Sequence, residues 1–231
     1  MKTLTDCILF LETDELSVLM QREGVAGLFC FRELTNSTPE SRHFPQIISS
    51  LIQKKYLLPF SDGWKIEDSL KEILIILKNT PFSLIQSSPS GNFPESCIFF
   101  LENMVLKMEM DEFRHGGVRL ELQQTKAFFQ DLKDNNGLSE IDFADYGFFE
   151  SGINNLDSLD KDDRVILKFT RYPRNTGKAD MKIYVLRDRF FDILVLQDSI
   201  GERVFPFSAE VLFKALWQDS EADGSLDKIL N

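Results

Sequence analysis

The stretch from Val165 to Phe207 constrains the fold most. It reads V-I-L-K-F-T-R-Y, then K-I-Y-V-L-R-D-R, then F-D-I-L-V-L-Q-D, then E-R-V-F-P-F. Each run is rich in β-branched and aromatic residues, and polar, turn-like spacers separate them. That spacing predicts an antiparallel meander. A helix-like segment from Ser208 to Asp219 follows at once and can lie across the sheet. Within the meander, the spacer P-R-N-T-G-K-A-D (Pro173 to Asp180) reads as a mobile loop, basic at Arg171, Arg174 and Lys178.

A second stretch shows the same order of elements. Cys97 to Leu101, Val105 to Phe113 and Val118 to Leu122 read as strands, and Thr125 to Asp134 as a helix. Glu102-Asn103 can turn the first hairpin, and Arg114-His-Gly-Gly117 the second. Val105, Lys107, Glu109 and Asp111 alternate with Leu106, Met108 and Met110, as in a half-buried strand. The two sheet-to-helix junctions, V-R-L-E-L-Q-Q-T-K-A-F-F and V-F-P-F-S-A-E-V-L-F, are alike, with Thr125 and Ser208 as matching N-caps. Two related halves follow, with strands meeting in one mainly antiparallel sheet and helices packed on one face and at the ends. The fold class is α+β.

The N-terminal part is richer in helix. Cys7 to Leu11 reads as a short strand, then a helix capped by Thr13 carries Leu16, Leu19 and Met20 on one face, with Glu12, Glu15 and Glu23 elsewhere. V-A-G-L-F-C-F after Gly24 reads as another strand. Pro45 suits the first turn of a helix through Ile47, Ile48, Leu51 and Ile52. Asp62-Gly63 makes a tight turn. Glu67 to Asn79 then forms a helix in which Ile75 interrupts the polar side, as if it were buried nearly all round. Gln86 to Glu95 is linker-like, and Leu138 to Asp163 an acidic, partly helical connection. The organisation is a single α+β domain over 1–231. Its half over 1–90 is helix-rich, with a winged-helix-like segment at 45–86, and 97–231 is sheet-rich.

Composition narrows the function. The net charge of -11 repels phosphate backbones and anionic membranes. Nucleic acid is therefore excluded as a partner, and the winged-helix-like segment, with only Lys54, Lys55 and Lys65 nearby, lacks a cationic recognition helix. No apolar run is long enough for membrane insertion, and no signal-peptide pattern opens the chain. Cys7, Cys30 and Cys97 are odd in number and far apart, which reads as reduced thiols in a cytoplasmic protein. The 21 phenylalanines have no polar handle, so most belong to the core and a minority to a partner-facing patch.

Catalytic, metal and cofactor sites find no support. His43 and His115 sit in turns without neighbouring Cys or a second His at metal spacing. G-x-S-x-G, P-loop and G-x-G-x-x-G patterns are absent. The acidic run Asp157 to Asp163 lacks the Gly and the terminal Glu of a calcium loop.

One family resemblance is present. Leu51-Ile-Gln-Lys-Lys-Tyr-Leu-Leu58, Asp62-Gly-Trp-Lys-Ile66, the helix through Leu70, Leu74 and Leu77, and then Pro81 resemble a stretch of the EspG-like chaperones of type VII (ESX) secretion systems. Tyr56 stands where that family commonly has Gly. The later order of sheet, helix, crossing segment, sheet and helix is similar too. The resemblance implies a non-enzymatic cytosolic chaperone that binds the helical tip of a secreted α-helical substrate pair. No contact residues carry over by motif. From the residues themselves, the candidates are Phe143, Tyr146, Phe148 and Phe149 in the acidic connection, with Arg171, Arg174 and Lys178. An immunity or regulatory protein with one toxin or signalling partner shares this profile. An enzyme with a non-local site, around perturbed carboxylates or His115, is a further alternative.

Overall fold

The computed structural model describes residues 7–29, 43–61, 63–89, 94–111, 116–139, 159–160, 162–187 and 191–217. The meander is β8 (Val165–Pro173), β9 (Met181–Arg187), β10 (Asp192–Asp198) and β11 (Gly201–Pro206), and α5 (Ala209–Trp217) follows it. The earlier series is β5 (Ser96–Leu101), β6 (Met104–Met110), β7 (Gly117–Gln124) and α4 (Thr125–Asn136). Before these come β1 (Cys7–Glu12), α1 (Thr13–Glu23), α2 (Phe44–Gln53), β2 (Leu57–Phe60), β3 (Gly63–Ile66), α3 (Asp68–Asn79) and β4 (Phe82–Ser87). Nine strands share one sheet in the order β1-β7-β6-β5-β4-β8-β9-β10-β11, and β2 and β3 form a separate ribbon. The fold is α+β and mainly sheet, as the strand spacing predicted. The pairings β1/β7, β6/β7, β5/β6, β8/β9, β9/β10 and β10/β11 are all antiparallel.

The chain falls into two compact units, each drawn from separate sequence segments. One holds residues 1–83, 96–125 and 173–177, and the other holds 84–95, 126–172 and 178–231. In the first unit, Leu11, Leu120, Leu122, Leu106, Met108 and Phe99 are buried. Leu11 faces Val118 across the β1/β7 ladder, and Leu122 pairs with Leu106, so one apolar row crosses the strands. The other face of β7 carries an ion ladder in which Arg119 bridges Glu109 and Glu121 at 2.9 Å each. In the second unit, Leu159, Val165, Tyr184, Leu186, Phe191, Ile193 and Val195 form one buried cluster. There Phe129 of α4 meets Phe213 of α5 edge-on, with centroids 5.7 Å apart.

Helix α1 begins one residue earlier than the Thr13 cap predicted. Glu12 is the N-cap, and its backbone N–H donates to Glu15 Oε2 at 2.8 Å. Glu15 is buried, and it accepts from Ser50 Oγ and Lys54 Nζ, each at 2.6 Å, which ties α1 to α2. A buried carboxylate survives in a protein interior only with partners of this kind. Residues 25–29 form no strand, contrary to expectation, and 30–31 lie outside the described residues. Ile75 is 42% exposed, so α3 is amphipathic and not buried all round. Ser208 Oγ accepts from Val211 N–H at 3.4 Å as the expected cap, whereas Thr125 is already helical and its buried hydroxyl has no partner. β4 runs on to Ser87, into what read as linker.

The Pro173–Asp180 spacer is pinned where it was expected to be mobile. Arg174 Nη1 donates to the carbonyls of Leu77 and Thr80 at 3.0 and 3.1 Å, and Nη2 to that of Ala26 at 2.5 Å. A guanidinium on the last carbonyls of α3 satisfies orphan acceptors and opposes the helix dipole. Asn175 N–H donates to the Gly27 carbonyl at 2.8 Å. Gly27 has φ +71°, and an added Cβ would stand 1.5 Å from Asn175 Oδ1. Only glycine accommodates both demands.

Candidate protein interface

β1 is an edge strand of the nine-stranded sheet. Phe10 N–H does not bond β7; it donates to the Tyr56 hydroxyl at 3.3 Å. Glu12 N–H likewise turns away, to Glu15. Because backbone direction alternates along a strand, Ile8 shares this outward set. Ile8, Phe10 and Glu12 thus turn their N–H groups away from β7. The side chains of Ile8 and Phe10 are 49% and 38% exposed.

The β2/β3 ribbon stands beside this edge through Tyr56. Glu67 N–H bonds the Tyr56 carbonyl at 2.9 Å, extending the ladder by one pair at its root. Leu57 pairs with Ile66 and both are buried; Pro59 pairs with Trp64 and Phe60 with Gly63 towards the tip. Period two puts Tyr56, Leu58 and Phe60 on one face and Pro59 with Trp64 on the other. Leu58 and Trp64 are exposed, and Phe60 is 66% exposed. Aromatic side chains thus stand in water on both faces of one short ribbon, as at protein contact surfaces.

Lys55 joins α2 to this ribbon. Its φ is +62°, with Lys55 N–H bonded to the Ile52 carbonyl and Tyr56 N–H to the Leu51 carbonyl. This is a left-handed helix terminus, where glycine is favoured. A lysine there costs about 1 kcal/mol of backbone strain. The ammonium is exposed and has no partner among the described residues. Lys54, by contrast, is bound to Glu15, and exposed Lys65 to exposed Asp68 at 2.8 Å. Arg22 Nη2 donates to the Trp64 carbonyl at 3.1 Å.

Of the residues singled out in the sequence, Phe143, Tyr146, Phe148 and Phe149 lie outside the described residues, as do Cys30 and His115. Arg171 is buried and holds Asp180 with two bonds of 2.9 and 2.7 Å, while its Nη1 reaches the Leu216 carbonyl at 3.0 Å. Arg174 is engaged as described, and Lys178 is exposed. Arg174 belongs to the same unit as the ribbon, and Arg171 and Lys178 belong to the other. His43 is exposed at the start of α2, beside Gln46 at 3.2 Å. No group of three or more His, Cys, Asp or Glu that could hold a metal occurs among the described residues. No helix among them is long and apolar enough to cross a membrane.

The second unit has a polar recess of about 450 Å³ lined by Asp160, Lys182, Tyr184, Gln197, Asp198 and Glu202. Its polar groups satisfy one another. Asp160 accepts from Lys168 at 2.5 Å and from Tyr184 at 3.0 Å, Gln197 donates to Glu202 at 2.7 Å, and Asp198 pairs with Arg203. The Lys168 bond, with help from Tyr184 and Lys182, holds the Asp160 carboxyl below its ordinary range. Burial, reinforced by Asp160, pushes the Tyr184 phenol well above its own. Near neutral pH the acid stays ionised and the phenol protonated, so neither is poised for proton transfer.

No known family profile matches the chain, and no curated protein matches it in sequence. Among solved structures it is similar to the Mycobacterium tuberculosis type VII secretion system chaperone EspG5, solved in complex with a PE25–PPE41 dimer. The identity is 7%, the match covers 91% of this chain and 94% of that chain, and the TM-score is 0.47.

Proposed function

We propose that this chain is a non-enzymatic protein-binding module that acts as a chaperone or adaptor. The observation that carries this reading is the β2/β3 ribbon, whose Leu58, Phe60 and Trp64 stand in solvent beside the edge strand β1. A chain that buries Phe99, Phe100, Phe169 and Phe207 almost completely does not need these three outside for its own core. Desolvating such a patch on a partner is the usual source of binding energy. The quenched polar recess adds no reactive group to set against it. The narrower form of the reading is an export chaperone for a helical secreted pair. It rests on the resemblance of Leu51 to Pro81 to the EspG-like chaperones.

The test is affinity capture from native cytoplasm with the intact chain and with a Leu58→Ser/Phe60→Ser/Trp64→Ser variant. The intact chain is expected to retain one or two proteins in stoichiometric amount. The variant should lose them at least tenfold while its melting temperature stays within about 2 °C, since surface changes cost little. Equal capture by both forms would remove the ribbon as the site. Small helical secreted proteins among those lost would support the export role, and a single toxin or enzyme would point to an immunity protein.

A further inference from the structure

We propose that the tip of the β2/β3 ribbon enters an apolar cleft of the partner protein, rimmed by carboxylates, that covers both faces of the ribbon. This rests on the protein-binding reading and says how the partner is built. The two faces are the first observation. Residues paired across an antiparallel ladder project to the same side. Pro59 and Trp64 therefore share one face, and Leu58, Lys65 and Phe60 share the other. Trp64 and Phe60 are both exposed, so each face of the tip keeps a large ring in water. Phe60 faces Gly63 across the ladder without lying over it: nothing beyond the glycine's chain neighbours stands within 4 Å of where a Cβ would be. That leaves a notch beside the ring for an apolar side chain to fill. A flat surface or a single helix covers one face of such a ribbon and leaves the other ring in water. A cleft covers both, and full desolvation is what turns an aromatic side chain into a binding anchor.

The edges of the ribbon are the second. Glu67 N–H bonds the Tyr56 carbonyl, so alternation along the ladder turns the backbone groups of Pro59 and Trp64 outward. Pro59 has no N–H to offer, and the Trp64 carbonyl is taken by Arg22 Nη2. Edges blunted in this way resist strand addition. The partner therefore meets the ribbon through its side chains.

Charge is the third. Residues 54–66 hold Lys54, Lys55 and Lys65 against Asp62 alone, in a chain of net charge -11. Lys54 is bound to buried Glu15, whereas Lys65 shares only an exposed pair with Asp68, of the kind that water weakens. Lys55 stands exposed at the root of the ribbon. Carboxylates around the mouth of the cleft would meet Lys55 and Lys65 as the tip goes in. A second copy of this chain would bring its own lysines to the same place and fits less well. An anionic membrane, which could also take two aromatic faces, is repelled by the net charge.

The test places the photo-crosslinker p-benzoylphenylalanine at position 60 in one form of the intact chain and at position 64 in another, and irradiates each in native cytoplasm. Both forms are expected to attach to the same protein, at two different segments whose apolar residues are flanked by Asp or Glu. With that protein purified, Phe60→Ser and Trp64→Ser should each weaken binding about tenfold or more on their own. Lys55→Gln keeps the backbone and removes the charge; it should weaken binding roughly three- to tenfold and flatten its salt dependence. Should either Ser variant lower the melting temperature, the crosslinks, made with rings of similar bulk, still decide.

Attachment from one position alone, or binding by Trp64→Ser as tight as the original, would show that one face suffices. The cleft would then be wrong and the protein-binding reading would stand. Attachment of the chain to itself, or retention on vesicles of phosphatidylglycerol and phosphatidylcholine, would replace the partner protein with a second copy or a membrane and overturn the proposal. No attachment from either position would overturn the cleft and the protein-binding reading together.

Discussion

Arg174→Ala is expected to destabilise the first unit by about 3 kcal/mol, because three backbone carbonyls lose a charged donor together. The last carbonyls of α3 also lose the cation that opposes their dipole. In a chain of this size the melting temperature should fall by roughly 6–10 °C. Arg174→Lys should recover only part, since one ammonium cannot span the guanidinium's fork. Gly27→Ala perturbs the same junction from the other side. Its methyl would displace the Asn175 side chain and hold φ at +71°, for a loss of about 2 kcal/mol. Chemical denaturation of the two variants and the double variant decides it. If the contact is one unit, the double should cost less than the sum of the singles. A change below about 0.5 kcal/mol for Arg174→Ala would mean that water replaces the guanidinium without loss.

Glu15→Ala should cost about 3 kcal/mol. It leaves the Ser50 hydroxyl, the Lys54 ammonium and the Glu12 N–H without their common acceptor. Glu15→Gln keeps one acceptor oxygen and nearly the same volume, so it should cost roughly half as much. Lys54 is partly exposed and can return to water, so Lys54→Met should be the mildest of the three. Urea midpoints at neutral pH give the order. A Lys54→Met loss equal to that of Glu15→Ala would show that the ion pair, and not the three-donor cradle, holds the carboxylate.

Most strands were legible because β-branched runs and polar turns recur at strand spacing, and β8 to β11 follow that pattern closely. Helix α3 was legible from Leu70, Ile73, Leu74 and Leu77, although the inference from Ile75 failed: one apolar residue on a polar face does not change which face is buried. Glu15 read only as lying off the apolar face of α1, because its partners lie 35 and 39 positions away, where periodicity carries no information. Arg174 read as a contact candidate for the same reason, its acceptors being 94 to 148 positions away. The left-handed terminus at Lys55 was hidden because the usual glycine is missing. Asp62 of the expected Asp62-Gly63 turn lies outside the described residues, and nothing in the sequence foretold that Phe60 and Trp64 of the ribbon would stand in solvent. Exposure depends on what packs against an element, and a single sequence states that only through its own pattern.

The return of residues 173–177 to the first unit has a consequence for synthesis. Emerging vectorially from the ribosome, the chain completes every strand and helix of that unit by residue 125, yet the clamp on Ala26 and Gly27 is still some fifty residues away. During that interval the early part must wait with the last turn of α3 unclamped. Closing so long a loop is entropically costly and slow. Nascent chains stalled before and after Pro173 should therefore differ sharply in protease resistance between residues 7 and 29.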